Sequence, residues 1–269
     1  MRPFSARTRL RSVVSMHFPH RSQPTSDPGH PAPTHDRSQH PPLISMQGVT
    51  KTYTTGEIDF TALDDVDLSI QVGEFVGVVG PSGSGKSTLL NLIAAIDRPS
   101  HGRVIVGDTD ISELDENEAA RWRGTNLGVI FQFFQLLPTL SLADNVILPM
   151  DLCGVHARKK RPHIARELLD QVGLAPHADK LPSQVSGGQQ QRAAIARALA
   201  NDPPIIVGDE PTGNLDSASA ASMMALFDTL VASGRTIVLV THDQELAKRA
   251  GRRILVEDGV VTNQIGGLR

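Results

Sequence analysis

From residue 43 onward, short apolar runs and alternating apolar and polar positions take turns with stretches of helical period. The runs predict strands at Leu43–Val49, Val66–Ile70, Phe75–Val79, Val104–Val106, Leu127–Phe131, Ile205–Val207, Thr236–Val240 and Ile254–Glu257. Predicted helices follow Gly85, Asp115, Ser141, His156, Gly187, Asp216 and Asp243. Asp115 with Glu118 three residues on has the spacing of a capping box, and Ser141 with Asp144 repeats it with Asp in place of Glu or Gln. Strands alternating with helices imply an α/β fold with a largely parallel sheet. Between about residues 135 and 200 the pattern is helical throughout, which predicts a helical lobe inserted into the sheet domain. No internal repeat is visible.

Composition changes this picture only at the N-terminus. The 269 residues, 39% hydrophobic and 20% charged, are ordinary for a globular protein with an ample core. No apolar stretch approaches the roughly 20 residues that cross a bilayer, so no membrane span is expected. One cysteine, Cys153, excludes an internal disulfide, fits a reducing compartment, and reads as a small core residue. Residues 1–42 hold six Arg, two Asp, five of the ten His and eight of the eighteen Pro. Their charge of +4 leaves −7 for the remainder of a chain whose net charge is −3. Such a segment buries too little apolar surface to offset its ordering entropy, and a disordered tail is expected, with one domain over 43–269. The acid-free first 26 residues have a transit-peptide composition, against which the prolines argue; a translation start nearer Met46 is an equally good reading. The tail's histidines have no regular ligand spacing.

Candidate chemistry begins with "EFVGVVGPSGSGKSTLLNLIAA", a buried strand, a glycine-rich turn and an apolar helix. Gly80, Gly85, Lys86 and Ser87 satisfy the phosphate-loop pattern, with Pro81, Ser82, Gly83, Ser84 and Thr88 completing the loop and the first helical residues. Glycines let backbone amides converge on phosphate oxygens, the helix dipole adds positive potential, Lys86 reaches the terminal phosphates, and Ser87 ligates Mg²⁺. The site is expected to take a nucleoside triphosphate with Mg²⁺. In "PIIVGDEPT" an apolar strand delivers Asp209 and Glu210 at its C-terminal end, where ligands of open α/β sheets sit. Asp209 is the expected second metal ligand and Glu210 the expected base that polarises the attacking water. Gly208 is out of place, since glycine weakens a strand interior.

A second glycine-rich loop, "QVSGGQQQRAAIAR", also opens onto a predicted helix and could also hold phosphate. Val185-Ser186-Gly187-Gly188-Gln189 resembles the LSGGQ signature of ATP-binding-cassette (ABC) ATPases, with Val185 in place of Leu as the apolar anchor. Further marks stand in the family's order. Tyr53 in "KTYTTGE" matches the aromatic residue that stacks on adenine, a role that needs the ring and not the hydroxyl. Gln132 in "VIFQFFQLL" matches the Q-loop glutamine, counted among both the nucleotide and the metal contacts. Asp216 in "GNLD" matches the D-loop, and His242 in "VTHD" the switch histidine, a catalytic residue beside Glu210 and Lys86. The resemblance covers about residues 43–263. It implies a P-loop NTPase of the ABC type, with an inserted helical subdomain and an N-terminal antiparallel β part. It also implies a head-to-tail dimer in which ATP on one subunit's P-loop is covered by the other's signature.

"DEPTGNLD", "AAIDRPSHG" and "LLPTLSLADNVILPM" look like the lipoprotein-release and macrolide-exporter (LolD/MacB-like) group, whose cassettes drive a permease. With the sequence ending at Arg269, that permease is expected to be a separate polypeptide, with the cassette peripheral on the cytoplasmic face of the membrane. A cell-division cassette of the same build, transporting nothing, is the alternative. Chromosome-type ABC ATPases are disfavoured, because only about a hundred residues separate Gly80 from Ser186, and no nucleic-acid partner is expected.

Overall fold

The computed structural model describes residues 41–213 and 215–264, so the disorder predicted for residues 1–42 lies outside the described residues but for its last two positions. Strands β1 (Ile44–Thr55), β2 (Ile58–Ile70), β4 (His101–Val106) and β5 (Thr109–Asp110) form an antiparallel sheet in the order β2-β1-β4-β5. A second sheet runs β10-β9-β3-β8-β7-β6, built from β3 (Phe75–Val79), β6 (Leu127–Ile130), β7 (Ile205–Asp209), β8 (Thr236–Val240), β9 (Arg252–Glu257) and β10 (Val260–Gln264). It is parallel except where β10 returns against β9. The central strands β3, β7 and β8 are continuous apolar runs because helices cover both faces of a parallel sheet.

The predicted β3 and β8 match the observed ones, whereas β1 and β2 run well past their predicted ends and β5 and β10 were not foreseen. Residues 51–55 and 58–61 are largely exposed and show no alternation; their strand character comes from the hairpin ladder that closes at Thr55 and Ile58 around Gly56. The turn into β10 is Asp258-Gly259, both at positive φ, a hairpin signal that the sequence does carry.

The helices are α1 (Lys86–Ile93), α2 (Glu116–Asn126), α3 (Leu142–Cys153), α4 (Arg161–Gln171), α5 (Gly187–Ala198), α6 (Ser217–Ala232) and α7 (Gln244–Arg249). Among the described residues none is long and apolar enough to cross a membrane. Asp115 and Glu118 cap α2 reciprocally. At α3 the Asp144 carboxylate is one methylene too short to repeat this, and accepts instead from the Ser141 hydroxyl at 2.6 Å. The start of α4 is set by Pro162 in its first turn, several residues past His156.

Three apolar clusters organise the packing. Leu89, Leu92 and Ile93 of α1 fill the space between the two sheets with Ile44, Leu63, Val76 and Val78. Phe227 of α6 packs with Phe75, Ile206, Ile237 and Leu239 on the opposite face of the parallel sheet. Leu142, Val146 and Met150 of α3 meet Ala165 and Leu169 of α4 and Ala193 of α5, giving the helical lobe its own core. Val185 packs against this third cluster, so the valine serves as the apolar anchor ahead of the second glycine loop. Gly208 also has its reason: a Cβ there would lie 2.7 Å from Leu239 Cδ2 on the neighbouring strand. Cys153 packs against Gly124, whose Cβ would lie 2.2 Å from the thiol sulfur.

Candidate functional site

The parallel order β3-β8-β7-β6 sets one edge of the sheet. The segments leaving the C-terminal ends of these four strands carry, in that order, the glycine loop, His242, Asp209 with Glu210, and Gln132. Residues predicted from four separate stretches of sequence therefore share one rim.

The glycine loop is dictated by its neighbours. Gly80 has φ 148, and a Cβ there would lie 2.0 Å from the Val256 carbonyl oxygen. Gly85 has φ 106, with Ala62 O 2.3 Å from its Cβ position. Only glycine fits against β9 and β2 at these points. Ser84 is buried, its amide donating to Pro81 O and its carbonyl accepting from Gly259, while Pro81, Ser82 and Gly83 form an exposed rim. Gly85 caps α1 without any side-chain bond, so the first-turn amides of α1 are left for another acceptor. Lys86 Nζ lies back along the loop and donates to Pro81 O at 2.5 Å.

Ser87 Oγ donates to Asp209 Oδ2 at 2.9 Å, which joins the loop to β7. A hydroxyl and a carboxylate at one point suit a hard cation, and oxygen donors are what Mg²⁺ takes. Among the described residues no three His, Cys, Asp or Glu side chains gather as a metal cluster. A cation here would complete its shell with phosphate and water, as Mg²⁺ does at nucleotide sites.

Glu210 follows in the left-handed region at φ 50, unusual for glutamate and costing on the order of 1–3 kcal/mol. Its amide donates to Val240 O at 2.9 Å and its carbonyl accepts from Gly213. This strained turn aims the carboxylate, 15% exposed, at Nδ1 of the 72% exposed His242, with which it pairs. Gln132 stands exposed just past β6, in a segment held through the Phe134 carbonyl by the half-buried Arg197 of α5, at 2.9 Å.

Tyr53 projects from β1 beside the start of α1. Burial raises its phenol pKa, a hydrogen bond from Thr88 works against this, and Asp97 adds to the rise. Its hydroxyl has a partner, donating to Asp97 Oδ2 at 2.8 Å, so the side chain offers more than a ring. Asp97 is desolvated, but bonds from Lys51, Tyr53 and the Arg98 amide outweigh that and hold its carboxyl below the usual range.

The second glycine loop is built differently. Ser186 caps α5 in a reciprocal box: its hydroxyl accepts from the Gln189 amide, and the Gln189 side chain accepts from the Ser186 amide. A Cβ at Gly187 would meet the Phe134 ring at 3.7 Å, and one at Gly188 would meet Ser219 Oγ at 3.1 Å. Ser219 Oγ in turn donates to Asp216 Oδ2 at 2.7 Å, so the loop at 186–189 and the Asp216 turn lie together. None of these contacts is with residues 80–88. One turn into α5, Gln191 is 1% exposed and donates to Pro211 O at 2.9 Å, tying this helix to the residue after Glu210. Gln191, Arg197, Lys51 and Asp97 were not singled out from sequence. Only a polar residue on the buried face of α5 hinted at the first, and nothing local marked Asp97.

A strand-borne phosphate loop facing an Asp-Glu pair across a parallel sheet defines a P-loop nucleoside triphosphatase. The profile of the ABC transporter family matches residues 63–213. The chain is 47% identical over 226 residues to the macrolide export ATP-binding/permease protein MacB of Hyphomonas neptunium, covering 84% of this chain and 35% of that protein. It is 44% identical to the ABC transporter ATP-binding protein YknY of Bacillus subtilis, over 84% of this chain and 98% of YknY. Among solved structures, a dimer of the ATP-binding cassette MJ0796 in a post-hydrolysis state with ADP and Pi superposes with a TM-score of 0.79 at 42% identity, over 84% of this chain and all of that one. The chain thus belongs to the ABC transporter family, as one of its ATP-binding ATPase cassettes; it spans about a third of the length of the MacB relative.

Proposed function

We propose that two copies of this cassette close head to tail on MgATP and that its hydrolysis drives a permease in export, or in extraction of a lipid-linked substrate. Gly80 to Thr88 hold the phosphates, Tyr53 stacks on the base, and Ser87, Asp209 and Gln132 are the residues that hold Mg²⁺. Bound Mg²⁺ supplies charge neutralisation on the phosphates. Glu210 accepts the proton of the attacking water, His242 keeps that carboxylate aimed, and Lys86 holds the terminal phosphate. Ser186, Gly187, Gly188 and Gln189, with Asp216 at their side, face the ATP of the other subunit.

The observation carrying this reading is that the two loops are separate in contact: Ser87 and Lys86 meet Asp209 and Pro81, whereas 186–189 meet Phe134, Leu215 and Ser219. The dimeric form of MJ0796 supports the pairing, and the name of MacB supports export. A permease on a separate polypeptide and a position on the cytoplasmic face of the membrane follow as part of the same proposal.

Sharing across the dimer is tested by mixing two inactive variants, Lys86→Ala and Ser186→Arg. In their heterodimer one site carries both defects and the other none. Activity is expected to return to at most about a quarter of wild type under random pairing and independent sites. Heterodimers that bind ATP yet fail to hydrolyse it even in a single turnover would remove the support for sharing.

A further inference from the structure

Three side chains outside the phosphate loop close on one another beside it. Lys51 and Tyr53 stand two apart on β1, and Asp97 lies just beyond the C-terminal end of α1. Lys51 Nζ donates to Asp97 Oδ1 at 2.6 Å and the Tyr53 hydroxyl to Asp97 Oδ2 at 2.8 Å, so the two carboxylate oxygens are divided between them. Lys51 Nζ also donates to the Arg98 carbonyl at 2.8 Å and stands 4.8 Å from the centroid of the Tyr53 ring. The Arg98 amide is a third donor to Asp97, at 2.7 Å. With side-chain exposures of 13% for Lys51 and 27% for Asp97, the ion pair is better shielded than a surface pair.

This arrangement constrains the ring in three ways. One face carries an ammonium group, which leaves the opposite face for a flat partner. The hydroxyl tether fixes the direction in which the ring points. The tether ends at the far end of α1, whose opposite end opens from the phosphate loop, and a helix of eight residues is about 12 Å long. Thr88 in the first turn of α1 also donates to this hydroxyl, so the ring is held between the two ends of the helix, at a set distance from the amides that receive phosphate.

We propose that Lys51 and Asp97 are positioning residues for the nucleotide base, holding the open face of Tyr53 in register with the phosphate loop. This rests on the reading that Tyr53 stacks on the base. Preference for a nucleotide over a bare polyphosphate then resides partly in this clamp, because only a ligand with a base uses it.

The test measures dissociation constants of the full chain for MgATP and for magnesium tripolyphosphate, which fills a phosphate loop but has no base. Tyr53→Phe removes the tether together with the bond from Thr88, and is expected to weaken MgATP about two- to tenfold, the worth of one hydrogen bond. Asp97→Ala is expected to do at least as much. Both leave tripolyphosphate binding as in wild type, and in steady state the loss falls on KM rather than kcat. Tyr53→Ala is expected to weaken MgATP about five- to 150-fold. In that background Asp97→Ala adds nothing, since no ring is left to position.

If Tyr53→Ala binds MgATP as wild type does, base stacking fails and the clamp with it. If Tyr53→Ala weakens MgATP but Tyr53→Phe does not, stacking stands and the clamp is overturned. The clamp is also overturned if Asp97→Ala weakens tripolyphosphate equally, or adds its full loss to Tyr53→Ala, because Asp97 would then merely support α1. Should Asp97→Ala fail to fold, Asp97→Asn, which keeps the shape and gives up one acceptor oxygen, takes its place under the same criteria.

Discussion

The two glycine-rich loops of this chain both open onto helices, and they differ in what their glycines answer to. At Gly80 and Gly85 the surrounding backbone leaves no room for a Cβ and φ is positive. Gly187 and Gly188 are not at positive φ, and a Cβ at Gly187 would make an ordinary contact. Glycine at a helical position costs roughly 0.5–1 kcal/mol relative to alanine, and among the described residues no close contact at Gly187 asks for glycine. The helix ends differ as well. The start of α1 has no side-chain cap, whereas Ser186 and Gln189 satisfy each other's amides at the start of α5. The first loop is shaped by its own fold and left open to an anion. The second is closed upon itself at Ser186 and Gln189, and leaves Gly187 exposed.

The largest effect is expected at the acid facing the first loop. Glu210→Gln should retain MgATP binding and lose turnover by about 10²–10⁴-fold, the range of a missing general base; a rate near that of wild type would remove Glu210 from that role. ATP should then hold this variant as a dimer in size-exclusion chromatography.

Matched glycine variants come next. Gly80→Ala forces the loop off the end of β9 and should cost about 1–3 kcal/mol or more, with loss of ATP binding measured by calorimetry. Gly187→Ala should keep or raise the thermal midpoint, since alanine is the better helix former, and yet slow ATP hydrolysis. Equal loss of stability in the two would erase the distinction between the loops.

Ser186→Ala should lower stability by about 1 kcal/mol through loss of the α5 cap, read as a thermal shift of about 2–4 °C. An unchanged midpoint would mean that the box does not hold the helix start.

The smallest effect concerns acid. Asp216 accepts from the Ser219 hydroxyl first, then from the amides of Ser219 and Ala218, and these bonds lower its pKa from the usual 3.8. Its contribution to stability is therefore complete above the unfolded value and disappears as pH falls through the lower folded one. Asp216→Asn should flatten the stability curve below about pH 4 and leave its slope near neutrality alone. An unchanged acid limb would show that the bonds at this cap are too exposed to matter.

Legibility in the sequence followed locality. The glycine loop and the caps at Asp115 and Ser141 lie within a few residues of the groups they serve, and the Asp-Glu pair directly follows an apolar run, so spacing alone exposed them. Strands with one continuous apolar run, such as β3 and β8, were equally plain. The outer halves of β1 and β2 were not, because their side chains face solvent and only the hairpin partner makes them strands. Tyr53 was found as a ring, but its hydroxyl's partner lies 44 residues away and no periodicity connects the two.

By itself, then, the sequence determined where phosphate can be held, since converging amides and a helix start are properties of consecutive residues. It determined as well which strands are buried, since a parallel sheet covered on both faces asks for uninterrupted apolar runs. Packing of the whole chain was needed for Ser87 to meet Asp209 across 122 residues, for Glu210 to take a strained turn toward His242, and for Leu239 to fill the place that a side chain at Gly208 would need. It alone divided Asp97 between a tyrosine and a lysine. These are contacts between residues far apart along the chain. Their partners are fixed by the strand order β3-β8-β7 and the length of α1, which emerge when the whole chain packs and are encoded in no single stretch of it.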